Sequence, residues 1–383
     1  MRKELELYIH IPFCIRKCAY CDFLSGPAND ETISNYVKAL IKEILAQRTF
    51  AEEYIVTTIF FGGGTPSILS GKQMHNIFDA IREVFVIAEN AEISMEANPG
   101  TVTKENLLAY QQAGVNRISF GLQSTSNEEL KILGRIHTYE EFLESFQLAR
   151  ACGFDNINVD LISAVPNQTL ESWEQSVKSI LQLEPEHISA YSLIIEEGTP
   201  FFEKYGEGSE GECLLPSEDD ERTMYRRTEE LLEGAGYHRY EISNYAKVGR
   251  ECKHNLGYWE RKEYLGLGLG ASSLIENERF RNCDDLYFYI EHSHDISQIR
   301  EIEGVLSVQE QMEEFVFLGL RKIAGISLAN FQETFGKSIE ECYGKGIEKM
   351  KTEHLLEEVE GMLRLTKRGI DISNYVFAEI LYE

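Results

Sequence analysis

The chain has 383 residues, of which 64 are Asp or Glu and 37 are Lys or Arg, so its formal net charge at pH 7 is −27. A hydrophobic fraction of 43% is enough for a large core, and the length predicts two domains or three. The negative excess disfavours binding to a phosphate backbone, and no run of residues is long and apolar enough to span a membrane. The charged N-terminal segment lacks the apolar region of a signal peptide. We therefore expect a folded cytoplasmic protein that binds no nucleic acid.

Short apolar or β-branched runs alternate with segments of helical period from residue 5 to about residue 195. The predicted strands cover residues 5–11, 57–61, 92–97, 117–120, 156–162 and 187–192. The predicted helices between them cover residues 32–48, 71–85, 103–113, 139–152 and 170–183. This alternation is typical of βα units around a parallel sheet. We predict an α/β fold, a partial (β/α)6 TIM-like barrel followed by a small, mainly helical C-terminal domain.

Residues 205–220 are rich in Gly, Ser and acidic residues, which predicts an exposed loop where the alternation ends. Beyond this loop we predict a helix over 221–236, a strand over 240–244 and, after residue 307, helices with a short strand over 362–365. The predicted division is a partial barrel in 1–220, a segment that completes the barrel in 221–300, and the helical domain in 301–383. This last part has 9 Lys and Arg against 16 Asp and Glu, which disfavours DNA binding and favours a packing or lid role.

Cys14, Cys18 and Cys21 form a C-x3-C-x2-C pattern directly after the first predicted strand, whereas the other five cysteines are scattered. Active sites of parallel βα barrels lie at the carboxyl ends of the strands, so chemistry is expected at this loop. A closed zinc site needs four ligands, and no second Cys/His pair follows at the usual spacing. Three thiolates can hold a [4Fe–4S] cluster and leave one iron open to a small molecule. The alternative is three ordinary buried thiols.

The second predicted strand ends in FFGGGTPS, where three glycines allow the backbone to approach a ligand closely. A simple tight turn is the alternative. A phosphate-binding loop is excluded because no Gly-Lys-Ser/Thr follows.

The cysteine pattern, with Tyr20 beside its last cysteine, resembles that of the radical S-adenosylmethionine (SAM) superfamily. The segments YIHIPFC, FFGGGTPS, EANPGT, RISFGLQS, LGRIH, NVDLISAVPNQT and HNLGYW are similar in order and spacing to the oxygen-independent coproporphyrinogen III oxidase family, over most of the chain. The resemblance implies a [4Fe–4S] cluster on Cys14, Cys18 and Cys21, with one or two molecules of S-adenosyl-L-methionine nearby. The residues that it implies around SAM are Tyr8, Gly63, Gly64, Thr65, Glu96, Gln123, Arg135 and Asp160. No catalytic residue is assigned.

The sequence differs from the oxidases in two features, and in both it resembles a shorter branch of this family, the heme chaperones named HemW. The oxidases carry a fourth cysteine two residues after the third, where this sequence has Phe23, and they begin with an N-terminal extension. The branch also has an HNxxYW motif, found here at His254, Asn255, Tyr258 and Trp259. It implies a protein that binds heme and transfers it to an acceptor protein. The alternative is the oxidative decarboxylation of coproporphyrinogen III to protoporphyrinogen IX, or other radical chemistry on a tetrapyrrole, so enzymatic activity is left open.

The candidate heme residues are His254, Tyr258 and Trp259. A histidine can be an axial ligand to heme iron, and flanking aromatic rings can cover a flat macrocycle. The alternative for His254 is a loop residue satisfied by hydrogen bonds within the protein. Cys252 is interpreted as a small buried hydrophobe. The segment GLGLGASS at 266–273 is interpreted as a loop against the barrel, because it lacks the setting of a dinucleotide-binding turn.

The resemblance also implies partners: heme or porphyrin, an unidentified heme acceptor, and an electron donor such as flavodoxin or ferredoxin. A homodimer is left open. Heme carries carboxylates, which a chain of charge −27 does not attract over long range. Heme binding therefore requires a local pocket with its own favourable contacts.

Overall fold

The computed structural model describes residues 2–381. Its strands are β1 (Lys3–Ile11), β2 (Tyr54–Gly63), β3 (Val86–Ala97), β4 (Arg117–Gln123), β5 (Ile157–Ser163), β6 (His187–Ser192), β7 (His238–Arg239), β8 (Asn244–Ala246), β9 (Tyr264–Leu267), β10 (Ser272–Ile275), β11 (Glu278–Asn282), β12 (Arg300–Val305), β13 (Ile326–Ser327), β14 (Leu356–Val359) and β15 (Met362–Leu365). Within this range β1–β12 form one sheet in the order β12-β11-β10-β9-β1-β2-β3-β4-β5-β6-β8-β7.

The α-helices are α1 (Asp30–Ala46), α2 (Arg48–Ala51), α3 (Gly71–Val84), α4 (Lys104–Ala113), α5 (Asn127–Ile132), α6 (Tyr139–Ala151), α7 (Leu170–Leu181), α8 (Pro200–Tyr205), α9 (Glu218–Gly234), α10 (Lys253–Trp259), α11 (Leu286–His292), α12 (Ile296–Ile299), α13 (Val308–Gly319), α14 (Leu328–Phe335), α15 (Ile339–Thr352), α16 (Lys367–Asp371) and α17 (Ser373–Leu381). Short 3-10 helices cover Pro66–Ile68 and Glu212–Leu214. No helix in the described range is long and apolar enough to cross a membrane.

The predicted partial barrel is confirmed. Strands β1 to β6 follow one another in sequence order, and each is parallel to the next. The five predicted helices between them are α1, α3, α4, α6 and α7, with ends within two residues of those predicted. Polar residues define their starts, as in the capping box of α3, where Ser70 and Gln73 satisfy each other's backbone N–H groups.

Alternation along the strands gives the barrel an apolar outside and a polar inside. In β1 the side chains of Leu5, Leu7 and Ile9 belong to the main hydrophobic core, whereas Glu6 and Tyr8 point to the opposite face. The same alternation places polar side chains of β3, β4 and β5 inside the barrel. The lumen is therefore available for a polar ligand, and the helices pack on the outer face.

Two local predictions are wrong. A strand over 240–244 is absent from the described chain, because the backbone reverses there between β7 and β8, and the Glu241 carboxylate accepts a hydrogen bond from the Ser243 N–H at 2.9 Å. The predicted loop at 266–273 contains the end of β9 and the start of β10. Strand β9 pairs with β1 in parallel and adds a seventh parallel strand to the barrel. The glycines serve the turn between β9 and β10, where Gly268 has φ 102° and Gly270 has φ 64°.

The C-terminal part is mainly helical, as predicted, and has a hydrophobic core of its own. Val316, Phe331, Ile347, Leu363 and Phe377 belong to this second core. Strands β13, β15 and β14 form a small antiparallel sheet beside it, which includes the predicted strand over 362–365. The domain boundary at residue 301 stays a prediction, and β12 (Arg300–Val305) lies at the edge of the large sheet.

Candidate functional site

A cavity of about 540 Å³ lies at the carboxyl ends of the barrel strands. It brings together the three clustered cysteines and all eight residues that the family resemblance implies around SAM. These residues are Cys14, Cys18, Cys21, Tyr8, Gly63, Gly64, Thr65, Glu96, Gln123, Arg135 and Asp160. Of the candidate heme residues, His254 and Tyr258 line this cavity, whereas Trp259 lines a neighbouring one.

The cysteine loop is held in place by its neighbours in the fold. The Ala19 N–H donates to the Leu133 carbonyl at 3.2 Å, and the Phe201 N–H donates to the Ala19 carbonyl at 3.0 Å. The Tyr20 ring packs edge-on against Phe201 with centroids 6.3 Å apart. The loop is thus fixed between the end of α5 and the start of α8, with its thiols toward the cavity.

A chain of hydrogen bonds joins two of the three sulfur atoms. The Thr65 hydroxyl donates to Cys14 Sγ at 3.5 Å and accepts from Asn98 Nδ2 at 2.8 Å. The Arg135 guanidinium donates to Asn98 Oδ1 at 2.7 Å and to Cys18 Sγ at 3.4 Å. A neighbouring cation and hydrogen-bond donors stabilise a thiolate and tune an attached cluster.

The donor set fits a cluster of the kind that the sequence predicts. Three thiols of one loop reach the same cavity, and the Arg135 Nε, which is buried there, has no hydrogen-bond partner in the described structure. Across residues 2–381 no three His, Cys, Asp or Glu side chains already have the arrangement of a metal site. Burial raises the pKa of the Cys21 thiol, which disfavours its thiolate form in the absence of a metal. Cluster binding would draw the three side chains together.

The glycine segment supports close packing against the cysteine loop. Gly63 has φ 108°, and a Cβ added there would lie 2.5 Å from the His10 ring. A Cβ on Gly64 would lie 2.5 Å from the Phe13 carbonyl oxygen. The N–H groups of Gly64 and Thr65 donate to carbonyls of Ile11 and Phe13, at 2.8 and 2.7 Å. The N–H groups of Gly64 and Thr65 are therefore already hydrogen-bonded within the protein.

Two carboxyl groups face the cavity from neighbouring parts of the lumen. Burial and, to a smaller extent, the nearby Asp160 carboxyl raise the pKa of Glu96 to about 8. Asp160 accepts hydrogen bonds from Ser119 at 2.9 Å and from Asn158 at 2.7 Å, while burial raises its pKa. A ligand with an ammonium or hydroxyl group could donate hydrogen bonds to either carboxyl group.

His254 is packed and hydrogen-bonded within the protein. Its side chain is 1% exposed, its Nδ1 lies 2.7 Å from the Thr58 hydroxyl, and its Nε2 lies 3.0 Å from the Tyr258 hydroxyl. The ring stacks on Phe60 with centroids 5.2 Å apart. Burial lowers the pKa of His254 to about 3, so the ring is neutral. As an iron ligand, His254 would have to give up one of these hydrogen bonds, so its role at heme stays a prediction.

Cys252 lies at the start of α10, beside the buried Glu92 carboxylate. The Glu92 carboxylate accepts from the N–H groups of Lys253 at 3.0 Å and His254 at 3.2 Å, and from the Cys252 thiol at 3.5 Å. Burial raises the pKa of the Cys252 thiol to about 12. This cysteine is therefore a neutral, fully buried group.

Several polar residues of the lumen were not predicted as site residues. Polar side chains at the inner faces or ends of β3 to β6 also line the cavity: Asn98, Arg117, Ser119, Asn158 and Ser189. A signal for most of them was present, because segments such as RISFGLQ alternate polar and apolar residues with the period of a strand. In a barrel the polar half of this pattern points into the lumen.

We expect Glu6 to make the stability of the ligand-free chain depend on pH. Its side chain is 1% exposed, and its carboxyl oxygens have no hydrogen-bond partner in the described structure. Burial raises the pKa of Glu6 from 4.5 to about 8. The folded chain keeps this proton in a pH range where the unfolded chain has lost it, so the free energy of unfolding falls as pH rises through that range.

Glu6→Gln is therefore expected to flatten the pH dependence of the urea midpoint between about pH 5 and about pH 9. The pKa of Glu96 is also raised, so part of the pH dependence of the urea midpoint will remain. The matched control is Glu4→Gln, an exposed position on the same strand, which should keep the full slope. An unchanged slope in Glu6→Gln would contradict the raised pKa of this buried carboxyl.

Two family models match parts of this chain. A family model described as the radical SAM superfamily matches residues 8–180, and one described as the HemN C-terminal domain matches residues 306–372. The solved structure of coproporphyrinogen III oxidase (HemN) from Escherichia coli, described as a radical SAM enzyme, superposes with a TM-score of 0.86. It covers 99% of this chain and 90% of that chain at 21% identity, and this likeness shows the fold.

Three curated relatives share the name heme chaperone HemW. The Lactococcus lactis protein is 37% identical over 100% of this chain and 99% of its own length. The Bacillus subtilis protein is 37% identical over 98% of this chain and 99% of its own length. The Escherichia coli protein is 44% identical over 71% of this chain and 70% of its own length. The chain therefore belongs to the radical SAM superfamily and, within it, to the HemW family.

Proposed function

We propose that the chain is a heme chaperone, which holds a [4Fe–4S] cluster, SAM and heme and transfers heme to an acceptor protein. The observation that carries this proposal is the cavity in which three thiols of one loop meet the eight residues implied around SAM. Relatives similar over almost the whole chain are named heme chaperones. The proposal includes a cytoplasmic location and a one-electron donor such as flavodoxin or ferredoxin.

The roles of the chain's own residues follow from their chemistry. Cys14, Cys18 and Cys21 would hold the cluster, which when bound supplies the electron that cleaves a carbon–sulfur bond of SAM. The buried Arg135 would bind a carboxylate through the Nε that has no partner in the described structure. Glu96 and Asp160 would accept hydrogen bonds from an ammonium or from ribose hydroxyls. Because the pKa of Glu96 is about 8, binding of an ammonium beside it would release a proton.

The residue at position 23, a phenylalanine, favours a heme carrier over a porphyrinogen decarboxylase. It stands at the position of the oxidases' fourth cysteine, is 60% exposed, and lines the mouths of both cavities. An exposed aromatic ring at a cavity mouth offers an apolar surface to a flat macrocycle. In the described structure this position therefore supplies contact area and no further thiol.

Heme binding tests the proposal. The cluster is reconstituted without oxygen, hemin is titrated, and the Soret absorption is followed after gel filtration. We expect about one heme per chain to stay with the protein, and Phe23→Asp to weaken binding by about tenfold. Ile302→Asp, at an apolar position with 61% exposure on the edge strand β12, is the matched control and should bind as the unmodified chain does. Loss of all heme from the unmodified protein during filtration would contradict the proposal.

A further inference from the structure

A second cavity of about 540 Å³ adjoins the first and shares Tyr8, Phe23, Gly63, Glu96 and Tyr258 with it. It extends from β1 past β9, β10 and β11 to Leu318 in α13 of the helical C-terminal part. Its walls carry the aromatic side chains of Tyr8, Phe23, Tyr258, Trp259 and Tyr264. Tyr258 and Tyr264 meet edge to face with centroids 4.8 Å apart. A cavity of this volume with aromatic side chains in its walls can accommodate a planar aromatic ligand.

Two arginines in the lining share one carboxylate. Arg261 Nε lies 2.9 Å from Glu314 Oε2, and Arg279 Nη2 lies 2.6 Å from Glu314 Oε1. The three side chains are largely shielded, with exposures of 10% for Arg261, 31% for Arg279 and 19% for Glu314. Two guanidinium groups and one carboxylate leave a surplus of one positive charge beside the cavity. In a chain of net charge −27, this is a local site for an anion.

A further polar group in this region has no partner. The indole Nε1 of Trp259 is buried and makes no hydrogen bond in the described structure. The Arg321 guanidinium lies over the Trp259 ring, 4.6 Å from its centroid, which holds the indole in place. A buried donor without a partner is costly, and an acceptor on a ligand would remove that cost.

We propose that the second cavity binds a planar aromatic ligand that carries carboxylates, and that one ligand carboxylate takes the place of Glu314 on Arg261 and Arg279. This inference rests on the proposed function, in which the ligand is heme and the carboxylates are its propionates. Glu314 occupies the carboxylate position in the ligand-free protein. Since Glu314 lies on α13, its displacement breaks an ion pair between the barrel and the helical C-terminal part.

Comparing hemin with hemin dimethyl ester tests this assignment, because the ester keeps the ring and the iron but removes both charges. With the unmodified protein we expect the ester to bind about tenfold more weakly than hemin. The Arg279→Gln variant should bind hemin more weakly than the unmodified protein does, by about the same factor. It should no longer bind hemin more tightly than the ester. Arg281→Gln is the control, because Arg281 lies on β11 as Arg279 does, pairs with Glu301 of β12 and does not line the cavity.

The Glu314→Gln variant tests whether Arg261 and Arg279 bind a ligand carboxylate or only form a structural ion pair with Glu314. It removes the competing carboxylate, so we expect hemin to bind about tenfold more tightly, whereas loss of a structural ion pair would leave binding unchanged or weaken it. Equal binding of hemin and its ester by the unmodified protein would overturn the assignment and leave the chaperone proposal standing. Retention of neither porphyrin would overturn both.

Discussion

Replacing Cys14, Cys18 and Cys21 together by alanine is expected to remove all cluster iron, from about four atoms per chain after anaerobic reconstitution to none. The three thiols reach one cavity from one loop, and Cys14 and Cys18 accept hydrogen bonds from Thr65 and Arg135. Iron and acid-labile sulfide analysis, together with visible absorption, measures the loss. The fold should survive, because the side chains lie at the cavity and not in the core.

The matched control replaces Cys213 and Cys342 by alanine. Cys213 is exposed and Cys342 is half-buried beside the second core, and neither lines the cavity. This variant should keep its full iron content and visible absorption. A triple variant that kept its iron, or a control that lost it, would overturn the cluster assignment.

Gly257→Ala is expected to destabilise the fold by about 1–3 kcal/mol, although alanine normally favours a helix. Gly257 lies inside α10, the helix of the HNLGYW motif, and a methyl group there would overlap the buried Glu6 carboxyl. Relief of the overlap requires a shift of α10 or of Glu6, and α10 carries His254 and Tyr258. We therefore expect a lower urea midpoint together with weaker hemin binding.

A double variant tests the cause. Glu6→Ala empties the space that the new methyl group would enter, so Gly257→Ala should cost far less in that background, with a coupling of about 1–3 kcal/mol. Gly234→Ala is the control, because Gly234 ends α9 and a Cβ there meets nothing within 4 Å. Equal destabilisation by Gly257→Ala with and without Glu6 would contradict the contact.

The barrel could be predicted because short apolar runs alternate with segments of helical period along the chain, and in β1 polar and apolar side chains also alternate. Leu5, Leu7 and Ile9 face the helices while Glu6 and Tyr8 face the lumen, so the same period identifies both the strand and its inner face. The cysteine pattern and the glycine segment were also readable, because each is contiguous in sequence. Their convergence in one cavity follows from the parallel order of the strands.

Other features depend on distant parts of the chain and left no local signal. Arg261, Arg279 and Glu314 come from the end of α10, from β11 and from α13, and only the fold joins them. The hydrogen bonds of His254 likewise come from Thr58 in β2 and from Tyr258 one turn along α10. The prediction of a strand over 240–244 is wrong because the Glu241 side chain accepts a hydrogen bond from the Ser243 N–H and stabilises a chain reversal. Such a local bond competes with strand pairing, and the hydrophobic pattern does not reveal it.

The charge distribution is consistent with a carrier whose cargo is an anion. The net charge of −27 keeps the exterior repulsive to carboxylates, while the group formed by Arg261, Arg279 and Glu314 is locally positive. Affinity for such a cargo would come from aromatic contact and short-range ion pairs, with little electrostatic steering. We expect binding to be slow relative to steered association and only weakly sensitive to salt.

Turnover of coproporphyrinogen III distinguishes a heme carrier from a porphyrinogen decarboxylase. The reconstituted protein is given SAM, a strong reductant and coproporphyrinogen III, and protoporphyrinogen IX is quantified after oxidation to the porphyrin, beside a parallel sample loaded with hemin. A heme carrier should retain heme in the second sample and form less than one molecule of product per chain in the first. Repeated formation of protoporphyrinogen IX, many molecules per chain, would contradict it.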